Sequence, residues 1–269
     1  MRLIAIHATA VMLALLLGGC QTTTVRPQGE TGATAGDSTG QLGSPVRRAS
    51  PGDIYVELGT AYLGEGQVNE AFKNARKAVL VDPKLAPAHT LLGVLYQHLG
   101  QTAEAQKHLS EAVQLAPHDP YALNALGSFL CSHGKPEDGD TYFRRALKNP
   151  LYPTPWVALH NAASCEEQEG KMELAERDYR AALRHNPRFA PALLRMAFIS
   201  FEQEKYLSAR AYLQRYAAEA PHTAESLWLG VRTEKQLGDK DMMASYAVKL
   251  RARFPDSDQA KFLEAINQP

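Results

Sequence analysis

Residues 86–117 read APAHTLLGVLYQHLGQTAEAQKHLSEAVQLAP. Counting Ala86 as position 1, Leu92, Gly93 and Tyr96 fall at positions 7, 8 and 11, Gly100 at 15, Ala105 at 20, Leu109 at 24, Ala112 at 27 and Pro117 at 32. Apolar residues at helical spacing on either side of a glycine describe two amphipathic helices joined by a tight turn. Gly93, Ala105 and Ala112 let the helices approach closely, the larger apolar residues fill between them, and Pro117 stops the second helix. The unit recurs along the chain. Pro83, Pro117, Pro187, Pro221 and Pro255 are separated by 34, 70, 34 and 34 residues, and Gly66, Gly100, Gly134, Gly170 and Gly238 by 34, 34, 36 and 68. Two independent markers thus agree on six units, starting at Gly52, Ala86, Pro120, Trp156, Ala190 and Ala224, with two extra residues between the third and fourth.

This period resembles the tetratricopeptide (TPR) motif. The fold it predicts is all-α: a right-handed superhelical solenoid of six TPR helix-turn-helix repeats, at 52–85, 86–119, 120–155, 156–189, 190–223 and 224–255. Residues 256–269 form a C-terminal cap, with Phe262, Leu263 and Ile266 of a short helix expected on repeat six. Position 20 holds Ala in repeats one, two, four and five but Gly139 in repeat three, and the other departures cluster in the last repeats, which need not accept a further neighbour.

Residues 1–19 carry one early positive charge, Arg2, an apolar run from Val11 to Leu17, and then Gly18-Gly19 before Cys20. The run is too short for a stable transmembrane helix and reads as an export signal. Leu17-Gly18-Gly19-Cys20 resembles a bacterial lipobox, which implies cleavage before Cys20, lipidation of that cysteine and a membrane anchor that does not span. By the same resemblance Gln21, where aspartate would signal retention, implies the outer membrane, with the chain on its periplasmic face. Residues 20–51 carry the anchor and a tether rich in Thr, Gly, Ser and Pro, too poor in large apolar side chains to offset the entropy of ordering. Thirty such residues reach roughly 30 Å.

The whole chain balances 29 basic against 29 acidic residues, and no basic stripe interleaved with aromatics appears, which argues against nucleic acid as partner. Apart from Cys20 there are two cysteines, Cys131 and Cys165, on first helices of neighbouring repeats. An oxidising compartment permits a bridge between them. Helix axes packed 8–10 Å apart make it depend on a close local approach, and two separately buried thiols are the other reading. No second Cys or paired His stands at metal-ligand spacing, so no metal is expected. Between these repeats lies Asn149-Pro150-Leu151-Tyr152-Pro153-Thr154-Pro155-Trp156, whose three prolines predict an extended joint that resets the angle between repeats. Trp156 reads as packed inward, and Tyr152 as either packed or presented.

The Cys131 and Cys165 helices, this proline-rich joint, the lipobox and six TPRs together resemble the type IV pilus biogenesis and stability family, the PilF/PilW-type pilotins. The resemblance implies a monomeric outer-membrane lipoprotein whose protein partner is the pilus secretin, which it helps to reach the outer membrane and to multimerise. It also implies that Cys131 and Cys165 are paired. TPR lipoproteins serving cell-wall hydrolases, proteases or a tight-adherence pilus are the alternative.

In TPR arrays, positions 2, 5, 9, 12 and 13 of each first helix commonly face a concave groove. Here they supply Val56, Thr60 and Leu63 in repeat one, Thr90, Val94, Gln97 and His98 in repeat two, and Tyr121, Asn124, Ser128 and Ser132 in repeat three. Later repeats supply His160, Ser164 and Glu167, then Leu194, Phe198 and Phe201, then Trp228, Arg232 and Lys235. Aromatics at helical spacing are more often core than groove, so Phe198, Phe201 and Trp228 carry a core reading beside the groove one. Val56 and Thr60 stand where carboxylate-clamp TPRs carry Lys and Asn, so a clamp is not expected. No HExxH, GxSxG or glycine-rich phosphate loop is present, and Glu166, Glu167 and Glu169 read as a solvated helix face. Neither catalysis, a cofactor nor a small-molecule substrate is expected.

Overall fold

In the computed structural model residues 50–266 are described, and they form thirteen α-helices with no strand among them. The expected leader, Cys20 and all but the last two residues of the expected tether lie outside the described residues. Those two, Ser50 and Pro51, start the first helix as its cap and its first residue. Ser50 caps it, its hydroxyl accepting from the Asp53 N–H at 3.2 Å while the Asp53 carboxylate accepts from the Ser50 N–H at 2.8 Å, and Pro51 is the first helical residue.

The helices follow in pairs: α1 Pro51–Gly64 with α2 Val68–Val81, α3 Ala86–His98 with α4 Thr102–Leu115, and α5 Pro120–Ser132 with α6 Pro136–Leu147. Then come α7 Pro155–Gln168 with α8 Met172–His185, α9 Ala190–Glu202 with α10 Tyr206–Glu219, and α11 Ala224–Leu237 with α12 Lys240–Arg253. Each helix packs on its pair-mate and on the next pair, so the core runs along the array as linked apolar clusters. α13, Asp258–Ile266, packs on α11 and α12 through Ala260 and Leu263, whereas Phe262 stays half exposed. No described helix is long and apolar enough to cross a membrane.

Each pair turns in the same way. In the first, Gly66 N–H donates to Leu63 C=O at 3.0 Å and Gln67 N–H to Tyr62 C=O at 2.8 Å, the double closure of a Schellman turn. The closure needs a left-handed residue, and Gly66, Gly100, Gly134, Gly170 and Gly238 supply it with φ between 69° and 74°. The fifth repeat has Glu204 there, at φ 59°, with the same two hydrogen bonds. A Cβ in this conformation costs about 1–2 kcal/mol, which the packing on either side of the turn has to hold.

Gly139, the departure at position 20, has a steric reason. A Cβ on it would sit 2.8 Å from the Gly127 carbonyl oxygen, and a Cβ on Gly127 would sit 2.9 Å from the Gly139 carbonyl oxygen. α5 and α6 meet backbone to backbone, and the alanine found in other repeats would force them apart.

The proline-rich joint is a turn and not an extended strut. Asn149 organises it: its side-chain oxygen accepts from the Leu151 N–H at 2.9 Å and its carbonyl from the Tyr152 N–H at 3.1 Å. Local hydrogen bonding by asparagine thus overrides the stiffness of the neighbouring prolines. Tyr152 is buried among Leu123, Ala146 and Ala158 and meets the Tyr121 ring edge-on, while Leu151 points to solvent. Trp156 packs partly against the core of the fourth repeat.

Beside this joint, Cys131 of α5 and Cys165 of α7 are joined by a disulfide, with Cα atoms 5.9 Å apart. The bridge lies over Phe143 and Ala162, so it ties three helices at the junction of repeats three and four.

Candidate functional site

The first helices of repeats one to three carry two adjoining hollows. The first, about 340 Å³, is lined by Val56, Thr60 and Leu63 of α1, Pro87, Thr90, Leu91 and Val94 of α3, and Asp119 and Tyr121 at the start of α5. Its surface is almost wholly apolar. The second, about 560 Å³, is lined by Val94, Gln97 and His98 of α3, Asn124, Ala125 and Ser128 of α5, and Asn161 of α7. Val94 borders both, so they form one continuous groove.

The residues expected in the groove from repeats one to three line it except Ser132, whose hydroxyl accepts from Gln97 Nε2. The helical pitch places side chains three and four apart on one face, and stacked first helices bring those faces together. Asn161 was not expected. Asn161 is position 6 of its repeat, as Leu91 and Ala125 are of theirs, so position 6 lines the hollows in repeats two, three and four alike, while the expected set names position 5, His160, in the fourth. His160 instead packs between the rings of Tyr179 and Phe189. Its Nδ1 is buried without a hydrogen bond, and burial pushes the imidazole down to about 4.

The aromatic end of the expected groove is different. Phe201 does not line it but belongs to the core with Ala197, Leu213 and Leu229, under the Arg232 guanidinium, whose carbon lies 4.2 Å from the ring centroid. Phe198 is half buried against the same cluster. Trp228 packs partly on the core of the last repeat, 6.1 Å from the Phe262 ring. Both core and groove claim positions one helical step apart, and in these repeats the core wins.

Polar groups hold the groove's floor. Asn161 Nδ2 donates to Asn124 Oδ1 at 3.1 Å, joining repeats three and four, and Gln97 Nε2 donates to Ser132 Oγ at 3.2 Å, joining two and three. Among the described residues no group of three His, Cys, Asp or Glu side chains gathers to hold a metal.

Of the three glutamates expected on a solvated face, Glu169 is exposed at the end of α7, whereas Glu166 and Glu167 are not solvated. Glu166 is buried, 5% exposed, and meets Arg144 of α6 at 2.8 Å. Arg144 also reaches Asp140 at 2.9 Å and the buried Asp178 of α8 at 2.5 Å, and Arg177 lies 3.9 Å from Glu166. Glu167 pairs with Arg195 of α9 and accepts from the Tyr179 hydroxyl at 2.9 Å. Three carboxylates therefore crowd one guanidinium beside the disulfide. Burial pushes the Glu166 carboxyl up to about 7, the Asp178 charge adds to this, and Arg144 opposes it.

A pH dependence of stability follows. The unfolded chain releases this proton near 4.5 and the folded chain near 7, so the folded state binds more protons between those values. Stability from this group is complete below about 4.5 and is lost as pH rises through about 7, roughly 2–3 kcal/mol in all. His160 acts with the opposite sign, its contribution being present above the ordinary histidine range and lost as pH falls towards about 4. Between about pH 5 and 6.5 the two contributions oppose each other, so the wild-type urea midpoint should change little there, whereas Glu166→Gln, which keeps only the His160 contribution, should become more stable as pH rises through that window. Parallel wild-type and Glu166→Gln profiles would show that Glu166 titrates normally.

Tetratricopeptide-repeat models match the chain over residues 62–147 and 166–224. The type IV pilus assembly protein PilF of Pseudomonas aeruginosa is 29% identical over 250 residues, covering 93% of this chain and 94% of that protein. The solved structure of Pseudomonas aeruginosa PilF superposes with a TM-score of 0.73 at 28% identity, covering 81% of this chain and 98% of the other. That of PilW, a widely conserved type IV pilus biogenesis factor, gives 0.70 at 28%, covering 80% and 99%. Repeat architecture and similarity over nearly the full length of both proteins lead to one assignment: this chain belongs to the family of tetratricopeptide-repeat proteins of type IV pilus biogenesis.

Proposed function

We propose that this protein is a pilotin: an outer-membrane lipoprotein, anchored through lipid on Cys20, that binds the type IV pilus secretin and promotes its localisation and multimerisation. Pilus family membership supports the pathway, and the lipobox-like Leu17-Gly18-Gly19-Cys20 supports the anchor. The observation that carries the binding role is the continuous groove of repeats one to three, whose apolar hollow adjoins a polar one at Val94. A hollow lined by Val56, Leu63, Leu91 and Val94 can desolvate an apolar anchor of a secretin segment, and anchors of that kind carry most of the affinity in such interfaces. Under this reading the array holds secretin subunits near the membrane through the tether, with no chemistry of its own.

Val94→Arg tests the binding role, because it puts a charge where both hollows meet. Secretin periplasmic domains should bind the purified wild-type chain, and the variant should bind at least about 100-fold more weakly, the roughly 3 kcal/mol expected for a lost hot spot with an unpaired charge in its place. Circular dichroism should show an unchanged melting curve. Equal binding by a folded Val94→Arg chain would remove the groove from the mechanism.

A further inference from the structure

The two asparagines at the junction of repeats three and four have more hydrogen-bonding capacity than the protein uses. Asn161 Nδ2 donates to Asn124 Oδ1, and neither side chain has another hydrogen-bond partner in the protein. This leaves the Asn124 amide as donor and the Asn161 carbonyl as acceptor, both at the wall of the larger hollow. Turning both amides over exchanges the roles and leaves the same pair. A free donor beside a free acceptor complements one thing that every extended peptide presents: a backbone C=O and N–H. In a helical ligand those groups are already joined internally.

The surroundings narrow the ligand further. Of the residues lining the two hollows the only Asp, Glu, His, Lys or Arg side chains are Asp119 and His98. Away from Asp119, whose carboxylate caps α5 by accepting from the Tyr121 N–H, a charged segment would lose its hydration there without a counter-charge. Val94 lies between the carboxamides and the apolar hollow, so a side chain seated beyond Val94 would sit a few residues along from the backbone held by the asparagines.

We propose that Asn124 and Asn161 form a main-chain-reading site. The groove takes an extended, uncharged peptide segment, pairs its backbone with the two carboxamides, and fixes its register by one large apolar side chain in the hollow of repeats one and two. This rests on the groove being the partner site and specifies what it reads: tolerant of sequence at the asparagines, demanding at the anchor.

The test uses the full chain from residue 20 and two sets of fluorescein-labelled 15-residue peptides, with anisotropy as readout. One set tiles the secretin of the same cell. The other contains neutral Ser/Thr/Gly sequences bearing one Leu or Phe. The best peptide should lose about ten-fold in affinity on Asn124→Ala/Asn161→Ala, as expected for two lost hydrogen bonds. Methylating single backbone nitrogens of that peptide should cost about ten-fold at one residue near the anchor in the wild type, and less than two-fold in the double variant. Asn161→Asp, which keeps the shape but alters the donor set, should also weaken binding.

If the asparagine variants bind within two-fold of wild type, if no methylated position is sensitive, or if neither set binds, the inference is overturned. Binding of neutral controls with these signatures, without binding of any secretin tile, upholds the main-chain site and removes the secretin as its ligand.

Discussion

Replacing Cys131 and Cys165 together by alanine should lower stability by about 3–4 kcal/mol and the melting temperature by roughly 10 °C. The bridge joins residues 34 apart in sequence and closes its loop in the unfolded chain as well as the folded one. The entropy it removes from the unfolded ensemble grows with the logarithm of that loop, which sets the size of the effect. Position adds to this. In an array, each repeat is held only by its neighbours, and this covalent link spans the junction where the two-residue insertion interrupts the period. The single melting transition should therefore broaden, as repeats one to three begin to unfold apart from four to six. Reduction of the wild type with dithiothreitol should reproduce the double variant. A loss under about 1 kcal/mol would mean that packing of Phe143 and Ala162 holds the junction without the bridge.

Arg210→Ala should cost about as much by a different route. Glu234 of α11 is fully buried and is gripped by both arms of the Arg210 guanidinium from α10, with Nε to Oε1 at 3.0 Å, while the same guanidinium reaches Asp239 at 3.2 Å. This fork ties the fifth repeat to the sixth. Removing the arginine leaves a carboxylate in the interior with no partner, and losses of about 3–5 kcal/mol follow from such a broken pair. Arg210→Lys should recover only part of the loss, since an ammonium cannot supply two parallel donors. The pair itself is not expected to add much over an apolar contact. Arg210→Met with Glu234→Leu should lie within about 1 kcal/mol of wild type, and urea denaturation of the four proteins separates these expectations. An Arg210→Ala chain as stable as wild type would show that Glu234 finds water or another donor.

How far the sequence could be read depended on whether a residue's role was local. The turn glycines and interhelical alanines declare themselves, because a left-handed turn and a close helix crossing admit few residue types and recur every period. Glu204 is invisible to that reading: it takes the same turn with an unsuited residue. The groove of repeats one to three was legible because helical pitch alone selects Val56, Thr60, Val94 and Asn124. Pitch alone missed position 6, which lines the hollows as Leu91, Ala125 and Asn161, and it named His160, one residue and about 100° away, which packs inward. Phe201 shows the same ambiguity, since groove and core faces adjoin on a first helix. The Glu166 cluster lay beyond reach. Whether that carboxylate is solvated depends on Arg144 and Asp178, on two other helices, and no spacing within α7 reports them.

The central proposal is most directly tested by the oligomeric state and location of the secretin in cells lacking this protein. Detergent-resistant secretin multimers in the outer-membrane fraction should disappear from the deletion strain and monomeric secretin should accumulate. The full chain should restore them. Cys20→Ala should restore multimers without their correct location, or neither, according to whether the lipid serves transport alone or assembly as well, and Val94→Arg should restore neither. Normal secretin multimers in the outer membrane of the deletion strain would contradict the pilotin role.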